Sequence, residues 1–373
     1  MSTGKKFTVQ TVLGQVNVED LGHTLTHEHV SATVAEKPEV FYRRAPENVA
    51  KLPNFDDKSI HLGNAGLVRQ YPYSNIFNME FQNDSSNQAV LEDLKVFKSS
   101  GGGTIVENTC HGIGRNSAFM VKASKETGVN IVAGTGFYVQ MSFGGSDSIL
   151  SSSVEQLASI MRDELTVGVP EAPDVKCGVI AEIGSVWPIT PFEKRAIEAA
   201  AVVQAELGVG VSFHPGRDSG APEEIARIYL EAGGDRHKGV LSHLDRTLHT
   251  KEDLLSFAET GFYCQFDLFG METSLYQLNQ QVDMPSDAER VNRIKWLVED
   301  GRADKITVAH DVHTKHRLMK YGGHGYSHIL LNVVPQMRTK GLTDEVIQGI
   351  LIKNPQKWLG VDPDYQPRSI TVL

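Results

Sequence analysis

Cysteine is scarce in this chain. Three occur in 373 residues, Cys110, Cys177 and Cys264, an odd number, widely separated, and no CxxC pair is among them. That excludes a disulfide framework and a zinc ribbon, and points to reduced thiols in a cytoplasmic protein. Basic charge is also in deficit. There are 36 Lys and Arg against 46 Asp and Glu, a net charge of -10 at pH 7, with a pI of about 5.8. A nucleic-acid partner, which needs a basic face, is excluded. A small anionic ligand is not, because one arginine or a pair of metal ions can reverse the sign locally. No apolar run approaches the roughly 20 residues that span a bilayer, so no membrane partner is expected. The opening "MSTGKKFTVQTVLG" has basic residues without an apolar stretch after them and does not read as a signal peptide. The sequon at Asn83 therefore carries no weight. There is no repeat of fixed period, low-complexity tract or interdomain linker, and no GxGxxG turn after the first strand-like run. With 40% hydrophobic and 22% charged residues, the chain reads as one globular domain over residues 1–373.

What is present is an alternation of short apolar runs and helical patterns. The runs are "HTLTHEHV" (23–30), "TIVENT" (104–109), "NIVAGTG" (130–136), "CGVIAEIG" (177–184), "VGVSFHP" (209–215), "GVLSHL" (239–244), "GFYCQFD" (261–267) and "KITVAHD" (305–311). Continuous Val, Ile and Phe suit parallel strands covered on both faces. Between them, 86–100, 152–165, 190–208, 221–234, 250–261 and 286–301 open at Ser, Thr or Pro and often close at Gly, as helix ends require. Ser86 is the expected cap of the first. Eight strands alternating with helices predict an α/β fold, a TIM-type (β/α)₈ barrel. Residues 31–85 fit poorly and are read as a long βα loop with some helix, the kind of loop that builds an active site in this fold.

In a strand, His27 and His29 share one face and Glu28 points to the other, so Glu28 is expected to be structural. The ends of the other runs add Glu182, His214, His243 and Asp311. In a barrel all C-terminal strand ends meet on one face. Four imidazoles and two carboxylates suit two borderline divalent ions, with Zn²⁺ the expected metal, one deeper and one more exposed. Glu182, with two oxygens, could bridge them. A lone histidine at a strand end is more often a hydrogen-bonded core residue; the joint placement of six is what favours a binuclear metal site at the C-terminal face. Asp245, two residues past His243, could orient an imidazole, or equally cap a helix or pair with Arg246.

"GHTLTHEHV", "GGGTIVENT", "GIGR", "AEIG", "HPGR", "SHLDR", "DLFG", "AHD" and "KYGGHGYSHI", in that order through nearly the whole chain, resemble the phosphotriesterase family of the amidohydrolase superfamily. The resemblance implies that His27, His29 and Asp311 hold the buried ion, and His214 and His243 the exposed one. Phosphotriesterases proper place a carboxylated lysine at the end of strand four; Glu182 stands here and supplies a carboxylate without a CO₂ adduct. This departure tells against organophosphate hydrolysis as the main activity. The expected reaction is attack by a metal-bridging hydroxide, made at neutral pH by two cations. The exposed ion polarises the carbonyl, and Asp311 carries the proton to the leaving group.

The resemblance also implies hydrolysis of small N-acyl amides, N-acetyltaurine foremost, to taurine and acetate. An anionic N-acyl substrate needs a cationic or donor-rich anchor. Arg217 in "HPGR" is the first candidate, because guanidinium pairs well with oxyanions. Lys315, Asn108, Tyr138 and His111 follow, with His324 and Tyr326 within possible reach and Asp267 as a minor pocket candidate. For any one of these a surface ion pair or loop hydrogen bond is the commoner role. The alternatives are a lactonase or phosphotriester hydrolase on the same barrel, or a non-catalytic small-molecule-binding barrel. A homodimer is compatible with relatives of this kind.

Overall fold

The computed structural model describes residues 6–33, 40–144 and 148–368. Part of the expected long loop, 34–39, and the first five residues lie outside the described residues.

Eight parallel strands form one sheet: β3 (His23–Glu28), β4 (Gly102–Glu107), β5 (Asn130–Thr135), β6 (Val179–Gly184), β7 (Val211–His214), β8 (Gly239–Leu241), β9 (Tyr263–Phe266) and β10 (Ile306–Val308), each paired with its neighbour in sequence. The ends come together where Asp311 N–H donates to the His27 carbonyl at 3.1 Å and the Thr26 hydroxyl donates to the Val308 carbonyl at 3.2 Å. The fold is the expected TIM-type barrel. An antiparallel hairpin, β1 (Thr8–Thr11) and β2 (Gly14–Asn17), precedes it and was not legible in the sequence.

The helices obey their caps. In α1 (Asp84–Ser99) the cap is Asn83, not Ser86, which is the third helical residue and closes the capping box. The chain enters the helix two residues earlier than its apolar pattern begins. Thr190 caps α4 (Pro191–Leu207) with Pro191 at the first position, and Gly208 ends it at φ 69. Likewise α2 (Ser117–Thr127), α3 (Val154–Thr166), α5 (Ala221–Glu231), α6 (Lys251–Ala258) and α7 (Asp287–Glu299) ring the sheet. Of these, α2 was not anticipated.

Two apolar layers result. Strand side chains such as Ile105, Ile131 and Phe213 pack outward on Leu94, Met120 and Ile197. Val106, Val132, Val179, Val240 and Tyr263 fill the barrel interior, where Val9, Leu21 and Trp358 join them. The hairpin approaches the N-terminal strand ends, with Val12 N–H bonded to the Ile131 carbonyl. Trp358 donates to the Lys238 carbonyl just before β8. One end of the barrel is thereby plugged, and the C-terminal end is left for the polar residues.

Candidate active site

At that end the strand period places the predicted residues. His27 and His29 turn to the same side, their ring centroids 5.6 Å apart. Glu28 goes the other way and is fully buried. It accepts from His310 N–H and from His310 Nδ1, both at 2.7 Å, and from Val312 N–H at 3.0 Å. Its carboxyl is pushed up to about 8 by burial, against those hydrogen bonds. Glu28 thus holds the segment that carries Asp311. Both Asp311 (φ 56) and His243 (φ 58) are left-handed, a conformation uncommon outside glycine. It turns their side chains inward just past β10 and β8.

The six side chains meet. One Glu182 oxygen is 3.0 Å from His214 Nδ1 and 3.7 Å from His27 Nε2; the other is 3.8 Å from His29 Nε2. Asp311 Oδ1 lies 3.2 Å from His29 Nε2 and 3.8 Å from His27 Nε2. His243 Nε2 is 2.8 Å from His214 Nδ1. His27, His29 and Asp311 bring three ligand atoms within 4.8 Å of one another, as do His27, Glu182 and His243.

The donor chemistry fits a cation. His27 Nε2 is buried without a hydrogen-bond partner, which is costly unless something else engages it. The remaining ring nitrogens are tied down, as those of ligating imidazoles are. His27 Nδ1 meets Ser242 Oγ at 3.1 Å, His29 Nδ1 meets Thr109 Oγ1 at 2.9 Å, and His243 Nδ1 meets Asp267 Oδ1 at 2.7 Å. Burial holds three of the imidazoles neutral: His27 is lowered to about 3, and His214 and His243 are lowered well below the ordinary value, with Arg246 adding to the effect. Burial, then the charges of Asp311 and Asp267, push Glu182 up. For Asp311 burial acts upward too, but His313 and the bond from His29 outweigh it and hold the carboxyl well below its usual range.

The orienting acid is Asp267. Asp245 bonds Arg290 at 2.8 Å and Leu268 N–H at 3.1 Å instead of an imidazole. The one-turn helix Leu244–Thr247 that starts after His243 carries Asp245 away from the ring, whereas β9 delivers Asp267 beneath it.

Above the cluster lies a cavity lined by His29, Glu182, His214, His243 and Asp311 together with Arg217 and Tyr138. Lys315 and Asn108 are not on its wall. The tight turn Lys315–Arg317 leaves Thr314 facing the cavity and swings the Lys315 ammonium over the Phe77 ring, 3.4 Å from its centroid. Asn108 is fully buried beyond the end of β4, its N–H bonded to the Glu28 carbonyl. His111 pairs with Glu164 at 2.8 Å. The Tyr326 hydroxyl donates to the His29 carbonyl at 2.7 Å, and His324 stacks on His310 away from the cavity. Arg246, Tyr276, Tyr73 and His313 line the wall and were not anticipated; only Arg246, three residues past a ligand as Arg217 is, carried a signal that could have found it.

Comparison with known proteins agrees with this fold. The model of the phosphotriesterase family matches residues 7–359. The chain is 47% identical to the phosphotriesterase-related protein of Aedes aegypti, covering 94% of this chain and 98% of that one. It is 46% identical to the N-acetyltaurine hydrolase of Xenopus tropicalis, covering 94% and 97%. Among solved structures it resembles a resiniferatoxin-binding protein from Rhodobacter sphaeroides, with 28% identity, a TM-score of 0.87 and 94% of each chain covered. It also resembles the organophosphorus hydrolase of Deinococcus radiodurans, with 26% identity, a TM-score of 0.72, and 96% and 98% covered.

Proposed function

This chain belongs to the phosphotriesterase family and is a hydrolase, and from that premise we propose that it cleaves small anionic N-acyl amides, N-acetyltaurine to taurine and acetate being the leading reaction. The observation that carries the reading is the position of Glu182, whose two oxygens stand between His27 and His29 on one side and His214 on the other. That arrangement supports a pair of divalent ions, zinc in this proposal. His27, His29 and Asp311 would hold the deeper one, His214 and His243 the more exposed one, with Glu182 shared. Bound there, such cations lower the pKa of water toward neutrality and polarise an acyl carbonyl.

The chain's own residues do the rest. Asp311, kept ionised, accepts the proton of the attacking water on its carboxylate and returns it to the leaving nitrogen, which an amide must have protonated to depart. Asp267 fixes the His243 ring, and Thr109 fixes His29. Tyr138, 3.5 Å from His214 Nε2, and Arg217 face the substrate. The amide preference is supported by relatives named N-acetyltaurine hydrolase in Xenopus tropicalis and Mus musculus, each 46% identical. A lactone or phosphotriester reading rests on solved structures at 25–26% identity. Placement in the cytoplasm and a possible homodimer belong to the same proposal; among the described residues no helix is long and apolar enough to cross a membrane.

The test is a hydrolysis screen over N-acetyltaurine, other N-acetyl amino acids, a γ-lactone and a phosphotriester, with Glu182→Ala as control. Turnover of the amides that Glu182→Ala abolishes is expected. Faster turnover of the lactone or triester than of any amide would overturn the assignment.

A further inference from the structure

The cavity wall holds two arginines, Arg217 and Arg246, that make no ion pair among the described residues. Elsewhere the buried arginines are compensated: Arg115 by Glu164, Arg290 by Asp245 and Asp287, and Arg317 by the carbonyls of His310, Asp311 and Phe269. Among the described residues, neither Arg217 nor Arg246 has a carboxylate within ion-pair distance. Arg246 is 2% exposed and, among the described residues, donates only to the Pro215 carbonyl at 3.1 Å and the Thr247 hydroxyl at 3.2 Å. Arg217 donates through Nε to the Tyr276 hydroxyl at 2.9 Å, and the Tyr276 ring lies 5.5 Å from its guanidinium carbon. Neither terminal nitrogen of Arg217 has a hydrogen-bond partner among the described residues.

Two guanidiniums close together, Arg246 buried and Arg217 half-buried, with no carboxylate in ion-pair contact, are expensive. Burial and the neighbouring Arg217 both push the Arg246 guanidinium below its ordinary value. The adjoining wall is apolar, formed by Leu268, Met271 and Leu278, so water screens the pair poorly and any anion there is held strongly. Both arginines follow a candidate ligand by three positions, Arg217 after His214 and Arg246 after His243, which sets them on one side of the cluster.

We propose that Arg217 and Arg246 together form an oxyanion subsite of this cavity, taking the singly charged sulfonate or carboxylate tail of the substrate, with Tyr276 as the positioning residue for Arg217. The subsite rests on the hydrolase reading only in assigning the anion to a substrate; its binding chemistry needs no turnover.

Isothermal titration of the metal-loaded enzyme tests it. The probes are ethanesulfonate, propionate and, as a neutral shape control, ethyl methyl sulfone. Wild type should bind at least one anion and not the sulfone, and the tighter of the two anions names the preferred tail. Arg217→Met and Arg246→Met should each weaken anion binding by about tenfold or more, the loss expected for a charge-assisted hydrogen bond. Arg246→Lys, which keeps the charge without the fork, should lose less. Because Arg246 is buried, thermal unfolding is followed alongside; should Arg246→Met not fold, Arg217→Met and Arg246→Lys decide the matter. The subsite is overturned if the sulfone binds as well as the anions, or if Arg217→Met and Arg246→Lys both bind as wild type does, the pattern of an anion held by the metal cluster alone. Loss of anion binding in the variants, with no amide cleaved by wild type, would keep the subsite and refute the assigned reaction.

Discussion

At the scale of single residues, the site depends on which atoms each side chain leaves free. His27 keeps Nε2 open because Nδ1 is engaged below by Ser242 and approached by Gln265. Asp267 likewise engages Nδ1 of His243. Asp267→Asn should therefore weaken metal binding by about 10- to 100-fold, as loss of an orienting partner does, measured by competition with a chromogenic chelator. Asp311→Asn separates binding from proton transfer. It should retain much of the metal and lose turnover by about 100-fold or more; near-wild-type kcat in a metal-replete sample would remove Asp311 from the proton path. The six cluster residues were legible as a set, because strand alternation and strand ends are local properties and a barrel sends every strand end to one rim. The acid behind His243 was not, since Asp245 is its neighbour in sequence and Asp267 only in space. Tyr73, Tyr276 and His313 escaped for the same reason: they come from the three loops after β3, β9 and β10, and no periodicity links them.

At the scale of elements, Glu28 ties β3 to the chain after β10. Its carboxylate satisfies two backbone N–H groups and one imidazole across 282 to 284 residues of sequence. Glu28→Ala would leave those donors buried and unpaired, at about 1–3 kcal/mol each. We expect a clear fall in the urea midpoint and a lower metal content, since Asp311 sits between the two N–H groups. An unchanged midpoint would show that water replaces the carboxylate. Strand positions were readable because both faces of a barrel strand are apolar, and helix starts because caps are chemical. What was not readable has physical causes. The β1–β2 hairpin alternates too weakly over four residues. The helix Ser117–Thr127 mixes Ser, Lys and Thr into its apolar pattern. The final helices, Val334–Thr339 and Asn354–Leu359, each begin with a π-helical turn, Ile329–Val333 and Gly349–Lys353, which shifts the apolar stripe off a 3.6-residue period.

At the scale of the whole molecule, one end of the barrel supplies stability and the other function. The plugged end is apolar, and several buried charges away from the site are paired. Glu164 is the clearest case. It meets Arg115 at 2.7 Å, His111 at 2.8 Å and the Thr135 hydroxyl at 2.5 Å. Burial alone would raise its carboxyl, but the bonds from Arg115 and His111 prevail and hold it far below the ordinary 4.5. A carboxylate with a depressed folded-state pKa stabilises the fold above the unfolded value and loses that contribution as pH falls below it. Glu164→Gln should thus cost about 3–5 kcal/mol at pH 7, as breaking a buried pair does, and the deficit should shrink as pH drops below about 4.5. Equal deficits at pH 7 and pH 4 would contradict this. The eight-strand alternation made the barrel legible from sequence, and the barrel in turn made the site legible, because it sends every strand end to one rim.

The central claim is that Glu182 stands between two metal positions on that rim. The most direct measurement is anomalous scattering at the zinc edge from crystals grown with zinc. Two peaks are predicted inside the cavity, one against His27, His29 and Asp311 and one against His214 and His243, with Glu182 touching both. No peak there, or a single peak that leaves Glu182 uncoordinated, would contradict the account.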